Sequence, residues 1–559
     1  MSLQFIFGNS GSGKSHYLYQ HIVEESIRHP EKNYLVLVPE QFTMQTQKDL
    51  CMAHPRGGIM NIDVLSFGRL AHRVFEETGK ERQPILDDEG KNLVLRKIAG
   101  NYEEELTVLK GNLKKQGYIS EVKSVISEFT QYGIDFEQLD SFMEGLNPES
   151  YLYYKLKDIR KVYEGFEDYL RDKYITKEEL LDVLSQTVPE AGMLKDSVIA
   201  MDGFTGFTPV QNRLIGELLK VCDKIMLTVE IDQREDPFVY KHPYQLFALS
   251  KQMVTSLTEV AQEVKAKIDA PVWLCKNPPY RFKENPEMAF LEEELFRYSR
   301  RKYDGEKMRS ISLHEVHTPQ EEAQYVAEEI RRLVREEGYR YREIAVIASD
   351  LNTYADALEK ACDRYEIPAF MDHKKSILLN SFVEYLRSLL VMVEQNYTYE
   401  SVFRYLRTGL CGFTRDEVDR LENYCLALDL KGFKKWDQVW VRKTPMTTKE
   451  ELEELNRLRV RFVEKLTPLH TVLKKRKKTV KEITLAVYEY LVQEKIQEQL
   501  AELEQKFQED GELALAKEYA QIYRIVLELF DKFVELLGEE EIPLKEYCEL
   551  LDAGLEEAK

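Results

Sequence analysis

The chain has 559 residues, which is too long for a single hydrophobic core, so we expect three or four domains. Hydrophobic residues make up 43% and charged residues 31%, a globular composition that excludes a wholly disordered or fibrous chain. The formal net charge of −20 argues against a protein that coats nucleic acid with its whole surface, although it is compatible with a local basic track on an acidic body.

The first eighty residues alternate between strand and helix signals. They predict, in chain order, a strand at 4–7, a glycine-rich loop at 8–13, a helix at 14–28, strands at 34–39 and 62–65, and a helix at 67–78. Alternation of this kind indicates an α/β protein with a parallel sheet.

The pattern then changes twice. From about residue 80 it becomes helix after helix, and strand signals return at 197–202 and 224–229, so the helices interrupt a sheet domain. The predicted domains are a first sheet domain at 1–79 and 196–275, a helical insertion at 80–195, a proline-bearing linker at 276–309, the start of a second sheet domain at 310–398, and a helical region at 399–559.

The second sheet domain is predicted from two strand signals and a helix start. Residues 311–316 and 344–348 are the predicted strands, and Thr318 followed by Pro319 and Glu321 is a strong N-terminal signal for a helix that runs to about residue 337. The chain ends within a charged helical pattern, as would a piece cut from a longer protein.

Targeting and cysteine signals are weak. The N-terminus has neither the basic flank nor the apolar stretch of a signal peptide, and no apolar run approaches the ~18 residues of a membrane span, so we expect a cytoplasmic protein without membrane contact. Seven cysteines occur without a C-x-x-C pair, which argues against a disulfide framework or a zinc site.

The glycine-rich loop matches the phosphate-binding pattern G-x-x-x-x-G-K-[ST] at every fixed position, directly after a strand and at the start of a helix. Its glycines let backbone N–H groups converge on phosphate oxygens, and the helix N-terminus adds partial positive charge. We predict that Lys14 contacts the β- and γ-phosphates of ATP and that the Ser15 hydroxyl binds Mg²⁺. The predicted nucleotide-binding residues are Gly8, Asn9, Ser10, Gly11, Ser12, Gly13, Lys14 and Ser15.

Hydrolysis needs further groups. Asp202, at the end of the predicted strand 198–202, suits a second magnesium ligand, although a strand-end aspartate that only starts a turn would have the same pattern. The water-activating glutamate that usually follows such an aspartate is absent, because residue 203 is glycine.

The phosphate-binding loop and two further segments, 64–73 and 202–211, resemble the nucleotide- and DNA-contacting motifs of UvrD-like helicases in order and spacing. The early loop and Val38-Pro39-Glu40-Gln41-Phe42 make the chain most similar to the N-terminal part of the AddB family, the B subunits of bacterial ATP-dependent helicase–deoxyribonucleases. The resemblance covers this whole chain but about half of such a protein. It implies RecA-like parallel sheets with large helical insertions.

Compared with active UvrD-like helicases, the chain lacks several groups. Gly203 replaces the expected glutamate, and Ser349 lies where a phosphate-contacting arginine is expected. The Gly-Asp-x-x-Gln sensor is not recognisable in 230–234, and only seven residues precede Gly8, so there is no room for the upstream adenine-reading glutamine. Loss of such an arginine alone lowers rates about 10³- to 10⁵-fold. We therefore predict a module that binds ATP without driving unwinding and that has no catalytic residue of its own.

The DNA-facing segment is better preserved. One aromatic ring with nearby cations is what a groove for single-stranded DNA requires, although the same residues also fit an ordinary amphipathic helix. Thr43 and Gln45 are weaker candidates, and the basic run 474–478 fits either a duplex contact or a solvated helix end. The predicted DNA-contacting residues are Gln41, Ser66, Phe67, Arg69, His72 and Arg73.

The resemblance implies a heterodimer with an AddA-type helicase–nuclease partner that acts on single- and double-stranded DNA ends. It also implies that the helicase-like body reads DNA, including the recombination hotspot Chi, and that the nuclease with its 4Fe–4S cluster lies beyond this chain. Two alternatives remain open: an active ATP-dependent helicase with unusual motifs, and a P-loop kinase for a small metabolite. The large insertion and the second α/β unit disfavour the kinase.

Overall fold

The computed structural model describes residues 1–79, 84–112, 116–171, 173–305, 308–372, 376–444 and 447–558. These residues form two compact units. The first comprises Met1–Asp87 and Glu121–His314, and the second comprises Asp88–Ser120 and Glu315–Lys559. This division differs from the predicted domains, since 276–309 belongs to the first unit and part of the insertion 80–195 groups with the second. The domain boundaries themselves stay a prediction.

The first unit is built on a parallel sheet, which confirms the predicted fold class. The strands of the described residues are β1 (Ser2–Gly8), β2 (Tyr34–Leu37), β3 (Ile62–Leu65), β4 (Ile85–Leu86), β5 (Ile175–Thr176), β6 (Val198–Met201), β7 (Lys224–Glu230), β8 (Lys267–Ile268) and β9 (Val272–Trp273). The large sheet has the order β3–β2–β6–β7–β1–β8, with β9 also paired to β1, and β4 pairs with β5 separately.

Alternate residues of each strand point to opposite faces of the large sheet, and both faces are buried. In β1 and β6, Phe5, Phe7 and Ile199 pack into one hydrophobic cluster, whereas Ile6 and Ala200 pack into another. The apolar runs that predicted these strands are therefore the two sides of a helix-covered sheet.

Helices make up most of the remaining structure. They are α1 (Lys14–Arg28), α2 (Thr43–Ala53), α3 (Phe67–Thr78), α4 (Asp88–Asn101), α5 (Gln116–Tyr132), α6 (Phe136–Glu144), α7 (Tyr151–Leu170), α8 (Leu180–Thr187), α9 (Pro209–Val221), α10 (Ala248–Glu263), α11 (Pro286–Glu294), α12 (Pro319–Glu336), α13 (Leu351–Arg364), α14 (Ser381–Glu394), α15 (Tyr399–Leu406), α16 (Arg415–Leu428), α17 (Phe433–Asp437), α18 (Lys449–Leu473), α19 (Val480–Gln493), α20 (Ile496–Glu509), α21 (Leu513–Leu537) and α22 (Leu544–Glu557). Among the described residues, none of these helices is long and apolar enough to cross a membrane.

The structure corrects two strand predictions for the region 310–398. Helix α12 begins as expected, since the Thr318 side chain accepts a hydrogen bond from the Glu321 N–H and Pro319 occupies the first turn. The segments 311–316 and 344–348, however, form no strand within the described part of the chain. A helix satisfies its backbone hydrogen bonds internally, whereas a strand needs a neighbour, and these two segments have none there.

Candidate nucleotide site and DNA-facing surface

The predicted phosphate-binding loop joins β1 to α1 at the carboxyl edge of the large sheet. Gly11 and Gly13 have φ values of 73° and 91°, a left-handed conformation that glycine adopts without strain. Gly13 is the N-cap residue of α1, and a Cβ atom at this position would meet no atom within 4 Å. The N-terminus of α1 is thus open to an anion.

Two side chains of the loop suit a phosphate group. The Lys14 ammonium donates a hydrogen bond to the Asn9 carbonyl oxygen at 2.9 Å, and the Ser12 hydroxyl oxygen is buried without a hydrogen-bond partner among the described residues. Burial lowers the pKa of Lys14, an effect that the Glu230 carboxylate partly offsets. A bound phosphate would favour the charged ammonium and give the buried hydroxyl a partner, so the loop fits an anionic ligand.

The Asp202 carboxylate accepts hydrogen bonds from three hydroxyl groups. The Ser15 hydroxyl donates to its Oδ1 atom at 3.1 Å and the Thr228 hydroxyl to the same atom at 2.5 Å, while the Tyr19 hydroxyl donates to Oδ2 at 2.7 Å. Burial raises the pKa of Tyr19, and the neighbouring Asp202 carboxylate raises it further. This geometry brings the two predicted magnesium ligands, Ser15 and Asp202, together from positions 187 residues apart.

Oxygen atoms of this kind are the ligands that Mg²⁺ prefers, and the ion commonly completes its shell with phosphate oxygens and water. Ser15 and Asp202 therefore fit a magnesium ion shared with a nucleotide. No group of three or more His, Cys, Asp or Glu side chains within the described ranges is arranged to hold a metal ion.

Gly203 lies at the position where the sequence comparison with active UvrD-like helicases predicted a glutamate. Its φ of 78° is unfavourable for any side-chain-bearing residue, and a Cβ atom there would lie 3.6 Å from Pro39 and 3.7 Å from the Phe42 ring. The backbone at this strand end therefore suits the glycine that is present.

Sequence reasoning missed several residues of the site. Tyr19 lies one helical turn after Ser15, and Thr228 is a lone hydroxyl in an apolar strand, so both had a recognisable signal. Glu292 had none, because it lies 283 residues from Asn9, whose amide nitrogen donates to Glu292 Oε2 at 2.9 Å.

The segment after β9 also contacts the loop. The Arg281 backbone N–H donates to the Gly11 carbonyl at 3.0 Å, and the Phe282 ring lies beside the same glycine. The Arg281 guanidinium is near enough to lower the pKa of Lys14, although burial is the larger cause. Arg281 is thus a cation beside the loop that the motif comparison did not identify.

The residues at the positions expected for the sensor motif and for the phosphate-contacting arginine make other contacts or are exposed. Asp232, in the sensor segment, forms ion pairs with Arg234 at 2.6 Å and Arg297 at 2.8 Å, so its carboxylate is engaged in an ionic cluster. Ser349 is exposed and lies in the second unit.

The predicted DNA-contacting residues form two groups in the structure, one buried and one exposed. Ser66 caps helix α3 by accepting from the Arg69 N–H, and Phe67 is only 9% exposed, packed against Phe204 and Phe207 with ring centroids 5.5 and 6.3 Å away. Stacking of Phe67 on a base remains a prediction, but the ring lies in the core because α3 is amphipathic.

Ser66 is buried, but the other polar residues predicted to contact DNA are exposed. Gln41, Arg69, His72 and Arg73 are all accessible, and Arg73 forms an ion pair with Asp63 at 2.7 Å. Thr43 is buried, and the Gln45 amide donates to Asp49. Phe42 is an aromatic ring that the solvent reaches: it is 49% exposed and lies beside Gly203.

A phosphate-binding loop and a serine–aspartate pair on a helix-covered parallel sheet define a P-loop protein. Consistent with this class, the model of the UvrD-like helicase C-terminal domain matches residues 277–554, and the model of the AddB N-terminal region matches residues 5–292. The second match covers more than half of the chain, so the chain belongs to the AddB family, as the sequence resemblance indicated.

Curated relatives agree with this assignment. The B subunits of ATP-dependent helicase/deoxyribonucleases from three bacteria are similar to the whole chain: that of Lachnoclostridium phytofermentans is 41% identical over 565 aligned residues, that of Clostridium novyi 32% over 559, and that of Caldanaerobacter subterraneus 33% over 569. The matched part is 49%, 48% and 48% of these relatives, respectively, so the chain spans about half their length.

Proposed function

We propose that this chain is the nucleotide- and DNA-binding helicase-like part of an ATP-dependent helicase–exonuclease that processes double-strand DNA ends for recombinational repair in the cytoplasm. In this proposal it grips ATP with Mg²⁺ but does not hydrolyse it at the rate of a motor. It reads the DNA strand, including Chi, while an AddA-type partner drives translocation. The nuclease and its 4Fe–4S cluster would belong to a part of the protein outside this chain.

The single observation that carries this proposal is the pairing of Ser15 with Asp202 directly beside Gly203. The hydrogen bond between the first two residues supports the proposal that both of them bind magnesium. The third has no side chain to activate water and a backbone conformation that disfavours one. In this proposal the strand end carries groups that bind the nucleotide but lacks the side chain that would activate water for its hydrolysis.

Nucleotide binding can be tested with Lys14→Ala and, as a matched control, Lys220→Ala, an exposed lysine of the same unit. Removing a charge-assisted contact costs about 1.5–3 kcal/mol, so the Lys14 variant should bind Mg–ATP roughly 10- to 150-fold more weakly in calorimetry. The control should bind as the wild type does. Equal affinity of all three proteins would contradict the proposed site.

DNA reading can be tested with the double variant Arg69→Ala/Arg73→Ala. Each phosphate contact to a single strand contributes about 0.7 to the dependence of log affinity on log salt, so the slope should fall by about 1.4. The matched control is Arg28→Ala/Arg213→Ala, two exposed arginines elsewhere in the first unit. If both double variants bind single-stranded DNA equally well, Arg69 and Arg73 are ordinary surface residues.

One observation favours the alternative of an active helicase. Glu230 is the last residue of β7, which pairs with both β1 and β6. Its carboxylate raises the pKa of Lys14, although burial lowers this pKa by more. A carboxylate on the neighbouring strand could take over the role of the missing glutamate. This alternative requires that Glu230→Gln abolish a measurable hydrolysis of ATP.

A further inference from the structure

A carboxylate from outside the phosphate-binding loop is attached to it. The Asn9 side-chain amide donates to Glu292 Oε2 at 2.9 Å, and the two residues border a cavity of about 190 Å³. Glu292 lies in α11, near the end of the helix, and is half-buried.

Helix α11 is held in this place by contacts along its length. At its C-terminal end the Arg234 guanidinium donates to the Glu293 carbonyl oxygen at 2.9 Å, and Arg301 forms ion pairs with the Glu293 and Glu294 carboxylates. In its first turn, Glu287 accepts hydrogen bonds from the backbone N–H groups of residues 309 and 310 at 2.8 and 2.7 Å. The Glu292 carboxylate is therefore fixed against the loop.

The charge of Glu292 reaches the group that should hold the terminal phosphates. Burial is the largest influence on the pKa of Lys14 and lowers it. The Glu292 carboxylate raises this pKa, as do the carboxylates of Glu230 and Asp202, whereas the Arg281 guanidinium lowers it. A carboxylate within electrostatic range of Lys14 is also within range of the β- and γ-phosphates that a loop lysine binds, and it repels them.

The surroundings of Glu292 show how this repulsion can be relieved. Burial raises the pKa of Glu292, and the charges of Asp232 and Glu230 raise it further, against the hydrogen bond from Asn9 and the charge of Arg234. Burial and the neighbouring negative charges therefore destabilise the charged form of Glu292. Protonation of this carboxyl, or withdrawal of α11, would remove its repulsion of the phosphates.

We propose that Glu292, docked on Asn9, makes the loop discriminate against the third phosphate, so that the site prefers a nucleoside diphosphate to a triphosphate while α11 is in place. This inference rests on the proposed nucleotide-binding function and identifies the residue that sets its selectivity. A triphosphate carries one more negative charge than a diphosphate, so the repulsion acts more strongly on the triphosphate.

The test is the affinity of the chain for Mg–ATP and Mg–ADP, measured by calorimetry at pH 7.5 for wild type and Glu292→Gln. Glutamine retains an oxygen for the Asn9 amide, so the fold should persist, and circular dichroism checks this. We expect Glu292→Gln to bind ATP about fivefold more tightly or better and ADP less than twofold differently. Glu284→Gln, which alters an exposed carboxylate just before α11, should leave both affinities unchanged.

A second measurement uses pH. Lowering the pH should raise the ATP-to-ADP affinity ratio of the wild type more than that of Glu292→Gln, because burial raises the pKa of the Glu292 carboxyl and glutamine has no charge to lose at this position. Changes in the nucleotide itself are common to both proteins and cancel in this comparison.

The outcomes distinguish this inference from the proposed function. If both nucleotides bind in a Lys14-dependent manner but Glu292→Gln leaves the ATP-to-ADP ratio unchanged, the selectivity role is refuted and the proposed function stands. If Glu284→Gln reproduces the effect, the charge of Glu292 is not special. If the wild type binds neither nucleotide, both proposals are overturned.

Discussion

Two apolar segments of nearly the same composition have different structures. Val198–Met201 is strand β6, paired on one side with β2 and on the other with β7, and its Ile199 is fully buried. Residues 344–348 have an equally strand-like sequence, yet within the described residues they pair with nothing, and Ile347 is 94% exposed. An apolar β-branched run thus predicts a tendency, whereas the strand itself depends on neighbours that are distant in sequence.

The same difference explains where the candidate site forms. Because β6 and β7 are neighbours, Asp202 and Thr228 meet at the carboxyl edge of the sheet, and α1 adds Ser15 and Tyr19. Ser349 follows the segment 344–348, which pairs with no strand in the described part of the chain, and Ser349 is exposed. Pairing of strands therefore assembles the polar groups that single strands only carry.

The largest effect expected from this comparison comes from a matched pair of substitutions. Ile199→Ala should destabilise the first unit by about 2–5 kcal/mol, because it leaves a cavity in a packed core. Ile347→Ala, at an exposed position, should change stability by less than about 0.5 kcal/mol. Hydrogen exchange of the backbone amides reports each unit separately. Similar losses for both variants would show that residues 344–348 are as well packed as β6.

A smaller effect is expected at the end of β6. Gly203→Glu places a side chain at a φ of 78° and should cost roughly 1–2 kcal/mol of stability in the first unit. It should not create ATP turnover of the kind a motor shows, because the sensor segment is engaged in the Asp232 ionic cluster. Rapid turnover in this variant would mean that the missing carboxylate was the only defect.

The smallest expected effect concerns helix caps, which are local and should not distinguish the units. Thr318 caps α12 in the second unit, and Thr208 caps α9 in the first, each by accepting a hydrogen bond from the third helical residue. Replacement of either by alanine should destabilise its helix by about 1 kcal/mol. Hydrogen exchange in the first turn of each helix measures this. A loss at Thr208 alone would indicate that α12 gains nothing from its predicted start signal.

Sequence patterns were sufficient where structure is determined locally. The bounds of α1 and α3, the start of α12 and the positions of β1, β2, β3, β6 and β7 follow from periodicity, caps and apolar runs, whereas the short strands β8 and β9 were not predicted. The phosphate-binding loop is contiguous and could be recognised directly, and Asp202 could be predicted as the partner of Ser15 because it follows a clear strand signal.

The remainder could not be read from the sequence because it depends on distant partners. Glu292 reaches Asn9 across 283 residues with no pattern that links the two. Phe67 resembles a stacking aromatic in the motif comparison, but its neighbours Phe204 and Phe207 come from another strand end and bury it. The 344–348 segment shows the converse error, since its sequence predicts a strand that has no described neighbour.

Single-turnover hydrolysis of ATP by this chain, with the chain in excess over nucleotide and with Mg²⁺ and single-stranded DNA present, tests the central claim most directly. We expect ATP to be bound in a Lys14-dependent manner and recovered intact over many minutes. Conversion to ADP within seconds, at the ~1 s⁻¹ or faster of ordinary enzymes and lost in Lys14→Ala, would show that the site is a working motor and would contradict the account.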